Sequence, residues 1–112
     1  MDSKFNELPF MAITVADKDG EIIDMNERSA NTFENSGGKA LIGKKLLDCH
    51  PEKARNIIKS LAEEQKTNVY TIEKNGVKKL IYQTPCFKNG VFDGLIEFSI
   101  IIPEDIPHYV RN

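Results

Sequence analysis

The chain has 112 residues, 40% of them hydrophobic and 29% charged, with a formal net charge of −2. That size points to one domain over residues 1–112, able to bury about two-thirds of the surface that its unfolded chain exposes. Acidic and basic residues are intermixed without a basic stripe, which argues against a nucleic-acid partner, and no apolar run reaches the length of a membrane span.

The first residues, "MDSKFNELPF", lack the basic-then-apolar order of a signal peptide. Cys49 and Cys86 fit no zinc spacing and suggest reduced thiols in a cytoplasmic setting. Phe10 to Ala16 is apolar and β-branched, "DKDG" (17–20) is turn chemistry, and Glu21 to Met25 is apolar again, so a hairpin is expected here. Asn26 is placed to cap a short helix starting at Glu27, with Ala30 and Phe33 on one side. "NSGGKA" breaks that helix.

The strongest helical period runs from about Pro51 to Gln65. Ala54, Ile57, Ile58, Leu61 and Ala62 form one apolar stripe, and Lys53, Lys59, Glu63, Glu64 and Lys66 are left for solvent. Three strands are then expected at Val69–Glu73, Val77–Phe87 and Leu95–Ile102. Two "KNG" turns separate them, the second followed by a "VFDG" connection. Pro85 marks an edge or a bulge in the second of these strands. Hairpins at both ends and helices between them predict an α+β layout with an antiparallel sheet.

Three stretches in this order carry a resemblance: "PFMAITVADKDGEIIDMNERSANTF", "LIGKKLLDCHP" leading into the long helix, and "NGVFDGLIEFSIII". Over about residues 7–103 the chain resembles a PAS domain, with segments 1–8 and 104–112 flanking the core. The "DCHP" step and the ending "IPHYVRN" look like a subgroup attached to other signalling modules. The resemblance implies a PAS fold, a five-stranded antiparallel sheet in order 2-1-5-4-3 with helices over one face. It also implies a small cavity between helices and sheet, and no chemistry of the domain's own. PAS domains bind a small molecule in that cavity or pair through the sheet's other face, and the resemblance does not name the ligand.

Several side chains compete for a chemical role. A flavin photosensor would need a reactive-cysteine helix start that "GKKLLDCHPEKARN" lacks. A haem iron accepts His or Cys, so a haem-binding gas or redox sensor using His50 or Cys49 is the alternative function. Against it, His50 precedes Pro51, a residue favoured at the first helical position, so Asp48, His50 and Pro51 also read as a plain helix start with Cys49 as a small buried apolar residue. Arg55 near the same helix N-terminus is placed to meet an anion, yet lies one position off the apolar stripe. No nucleophile–base–acid set and no phosphate loop is present, so no enzyme activity is expected.

The cavity implied by the resemblance is expected to be lined by Cys49, His50, Ile57, Ile58, Leu61, Tyr82 and Phe98. In the last strand Ile96, Phe98, Ile100 and Ile102 share one face, and Leu95, Glu97, Ser99 and Ile101 the other. A strand apolar on both sides is normally covered on both sides. A homodimer is therefore expected through the outer sheet face near Leu95 and Ile101, together with the N-terminal segment.

Overall fold

The computed structural model describes residues 1–45 and 52–112; the side chains of residues 53–55, 57 and 58 lie outside that description. A one-turn helix α1 (Ser3–Asn6) precedes the hairpin β1 (Met11–Asp17) and β2 (Ile22–Met25). Helix α2 (Glu27–Thr32), two 3-10 turns (Glu34–Ser36 and Gly38–Leu41) and helix α3 (Glu52–Glu64) form the middle of the chain. Strands β3 (Asn68–Lys74), β4 (Val77–Lys88) and β5 (Val91–Ile101) close it. All strand pairs are antiparallel, in the order β2-β1-β5-β4-β3.

Local chemistry accounts for the hairpins. The Asp17 carboxylate accepts from the backbone N–H groups of Asp19 and Glu21, which folds the first turn before Gly20 takes positive φ. Asn75-Gly76 and Asn89-Gly90 all have positive φ, as the tight primed hairpin turn requires. Because that turn needs only two residues, β5 starts directly at Val91. The "VFDG" segment expected as a connection is therefore the first part of the strand. Pro85 lies past the last β3 partner of β4, which is Gln83, so its missing N–H falls where β4 is open on that side. The irregularity expected near it occurs between Cys86 and Phe87.

Gly94 has φ +144°, and a Cβ there would stand 2.2 Å from the Ala16 carbonyl oxygen, so β1 and β5 approach here only because the residue is glycine.

Asn26 joins the layers. It is 0% exposed, and its amide makes four hydrogen bonds. Oδ1 accepts from the N–H groups of Ile13 and Ser29, each at 3.0 Å, and Nδ2 donates to the carbonyls of Phe5 and Met11, each at 2.9 Å. The residue therefore caps α2, as its position in the sequence suggests, and also ties α1 and β1 to that cap. Beneath α2 and α3 the core gathers Ala16, Ile22, Met25, Ala30, Leu41, Leu61 and Leu95.

Replacing Asn26 by Ala removes the cap and strands buried backbone groups of β1. The variant is expected to lose about 3–5 kcal/mol in urea unfolding, well beyond the loss of an ordinary cap. A loss near 1 kcal/mol, that of a cap alone, would show that the links to Phe5 and Met11 contribute nothing.

Candidate ligand-binding site

Cross-strand partners share a face, and successive residues alternate. Ala16 pairs with Leu95, Thr14 with Glu97, and Ala12 with Ser99 on one side of β5. On its other side Ile81 pairs with Ser99 and Gln83 with Glu97. Leu95 and Ala16 share the core with Leu61 of α3, so this row is the inner face, turned towards the helices. The opposite row, Ile96, Phe98 and Ile100 with Leu80 and Tyr82, is the outer face.

A cavity of about 220 Å³ opens on the inner face. Thr32 and Phe33 at the end of α2 form one wall, and Ala12 and Thr14 of β1 another. Tyr70 and Ile72 of β3, Lys79, Ile81 and Gln83 of β4, and Glu97 and Ser99 of β5 complete it. A narrow recess of about 10 Å³, room for about one water, adjoins it between Leu61, Ala16 and Leu95. Thr14, Gln83 and Glu97 belong to both. A shallower groove of about 360 Å³ runs beside the C-terminal half of α3, lined by Ser60, Glu64 and Lys66.

The shared polar residues are held by a chain of hydrogen bonds. Asn68 Nδ2 donates to Gln83 Oε1 at 2.9 Å, and Gln83 Nε2 donates to Glu97 Oε2 at 2.9 Å. Gln83 is 8% exposed, so both ends of its amide are satisfied in a buried position. The Thr14 hydroxyl pairs with that of Ser29, which fixes β1 against α2 at the same level. Burial, and secondarily the charge of Glu97, pushes the Tyr70 phenol above its usual 10.0. Cys86 lies outside the cavity. Burial, with Asp93 nearby, pushes its thiol up, which makes it a poor nucleophile near neutrality.

Leu61 is 6% exposed and lines the recess, as the helical stripe predicts. Tyr82 and Phe98 do not line the cavity: they face each other on the outer face. Leu95 and Ile101, expected outside, belong to the inner row, and Leu95 is 7% exposed. The parity is reversed because β5 is apolar on both faces, so alternation alone does not orient it. The small residues Ala12, Thr14 and Ala16 of β1 leave the room that the helices and the cavity take. Cys49 and His50 lie outside the described residues, and so do the side chains of Ile57, Ile58 and Arg55. The two axial donors of the haem alternative are therefore not placed, and no His, Cys or Met is among the described lining residues. Thr14, Tyr70, Gln83, Glu97 and Ser99 were missed by sequence reasoning. Their signal is a polar residue at alternate positions of otherwise apolar strands, which reads equally well as a solvent face.

This geometry coincides with solved structures. The PAS domain of histidine kinase ThkA superposes with TM-score 0.66 at 19% identity, covering 81% of this chain and 98% of that one. The PAS domain of BvgS from Bordetella pertussis gives 0.62 at 24% identity, covering 90% and 82%. A structure of the Aer2 receptor from Vibrio cholerae, described as a dual PAS-heme oxygen sensor, gives 0.57 at 19% identity, covering 83% and 95%. No family model and no curated protein matches the sequence. The chain has the PAS fold, with its five strands in the order that the sequence resemblance implies. The likeness carries that fold and not the narrower "DCHP" subgroup.

If Glu97 faces Tyr70 across the cavity, Glu97→Gln should bring the Tyr70 ionisation down towards, though not to, its usual value, since burial remains. An NMR titration of the Tyr70 ring reads this directly. The folded phenol ionises above the unfolded one, so its contribution to stability is whole below pH 10 and is lost as pH rises through the folded value. A Tyr70 titration that Glu97→Gln leaves unmoved would separate the two groups.

Proposed function

We propose that the chain is a sensory module that takes a small molecule in the inner-face cavity and passes its occupancy to a partner protein. The observation that carries this reading is the Asn68–Gln83–Glu97 relay. Buried Gln83 holds the half-buried Glu97 carboxylate in place, and a mostly apolar cavity with a few such oriented polar groups is the usual form of a ligand site. The fold shared with PAS domains of histidine kinases supports a role in signalling. The reading is of a non-catalytic, cytoplasmic module. Among the described residues no helix is long and apolar enough to cross a membrane, and no cluster of three metal-ligating side chains occurs.

The partner we propose is a second copy of the chain, seated on the outer face. Tyr82, Phe98, Leu80, Ile96 and Ile100 form an uncharged patch there, with Lys78, Glu73 and Asp24 confined to its margins. A patch that lacks charge at its centre sets no like charges against each other across a two-fold contact, and interface cores are depleted in charge.

Two measurements test these points. Compounds from a metabolite panel that raise the melting temperature of the parent should fail to do so for Ser99→Phe, whose ring fills the cavity. Equal stabilisation of both proteins would place binding elsewhere. Light scattering should give a dimer mass that Phe98→Glu halves, and a monomer at all concentrations would remove the second copy from the account.

A further inference from the structure

We propose that the cavity selects a small organic amine, with its ammonium group on Glu97 and an anionic or neutral far end towards Lys79. The inference rests on the ligand-site reading above and names the class of ligand.

Glu97 is the only carboxylate among the described residues that line the cavity. Its Oε2 is occupied by the Gln83 amide, and Asn68 holds Gln83 in turn, so the carboxylate is aimed rather than free to swing. Among the described residues no lysine, arginine or histidine forms an ion pair with it. A carboxylate in such a wall is best compensated by a cation that brings its own hydrogen-bond donors. An ammonium group carries three donors; the Glu97 carboxylate accepts at one end of the space, and Ser99 and Tyr70, both level with Ile81, add oxygen acceptors next along the wall. The rings of Tyr70 and Phe33 add aromatic surface, which also favours a cation. A calcium ion is the poorer fit, because it takes about six to eight oxygen ligands with several carboxylates among them, and this wall supplies one carboxylate.

Lys79 sets the other end. It stands four residues before Gln83 on β4, roughly 13 Å along the strand, and lines the same cavity. A second positive charge on the ligand would meet it, and a carboxylate would pair with it. The wall is thus asymmetric, acidic at one end and basic at the other, with Ile81 and Ser99 between.

Four probes of equal chain length separate the terms: ω-aminopentanoate, pentylamine, cadaverine and pentanoate, each titrated into the intact chain by calorimetry. The expected order is ω-aminopentanoate tightest, then pentylamine, then cadaverine, with pentanoate not detected. Glu97→Gln should weaken the two leading probes about ten- to hundredfold, the worth of one charge-assisted hydrogen bond. In the parent protein, free of any folding defect of the variant, the side-chain amide resonances of Gln83 and Asn68 should move on addition of ω-aminopentanoate. Tightest binding by pentanoate, with those same amide resonances moving, would overturn the amine assignment and leave the cavity as a ligand site. No heat and no shift with any probe at millimolar concentration would overturn the amine assignment as well, and the Ser99→Phe comparison would then decide the ligand-site reading by itself.

Discussion

One buried amide sets the relation between the layers of this domain. Asn26 offers two donors and accepts two hydrogen bonds, and each goes to a different part of the chain: α1, the start of β1, the middle of β1 and the first turn of α2. A fully buried amide is tolerable only when all its bonds are made, so the positions of these segments are mutually conditional. With α2 held there, the Thr14–Ser29 hydroxyl pair presses it against β1, and the end of α2, Thr32 and Phe33, stands over the sheet as a wall of the cavity.

The sheet divides its chemistry between its faces. The inner row of β1 is small, Ala12, Thr14 and Ala16, and the neighbouring strands bring Gln83, Glu97 and Ser99 to the same level. Small residues beside hydrogen-bonded polar ones produce space with direction. Large apolar residues in the same positions would have produced a filled core. The bulky residues Phe98, Ile96, Ile100 and Tyr82 sit on the outer face, where they leave no cavity and present an apolar surface. The polar inner row and the apolar outer row are carried by the same strands, so whatever shifts β4 and β5 on one side also shifts them on the other.

Much of this was readable from residue patterns. The Asn-Gly dipeptides, the Asx turn at Asp17 and the cap at Asn26 are local chemistry, and each formed as its residues dictate. The five-strand order follows from the resemblance over about residues 7–103 and agrees with the solved PAS domains. Leu61 was placed by helical period alone. The cavity was harder because its determinants are not local. Glu97 and Gln83 become one feature only through the β4–β5 register, and Thr14 joins them through β1, a long way off in sequence. Which face of β5 turns inward depends on where the helices pack, and a strand with isoleucine or leucine on both faces does not state that by itself. Glu97 and Ser99 look like solvent-facing residues until the helices are in place.

Everything proposed for the site depends on that choice of face, and the measurement that decides it most directly is a methyl and aromatic NOESY spectrum of the intact chain. The Leu61 methyl groups should show contacts to Leu95 and Ala16 and none to the Phe98 ring. Contacts from Leu61 to Phe98 and Ile100 instead would turn the opposite face of β5 towards the helices, take Glu97 and Gln83 out of the cavity, and contradict the account.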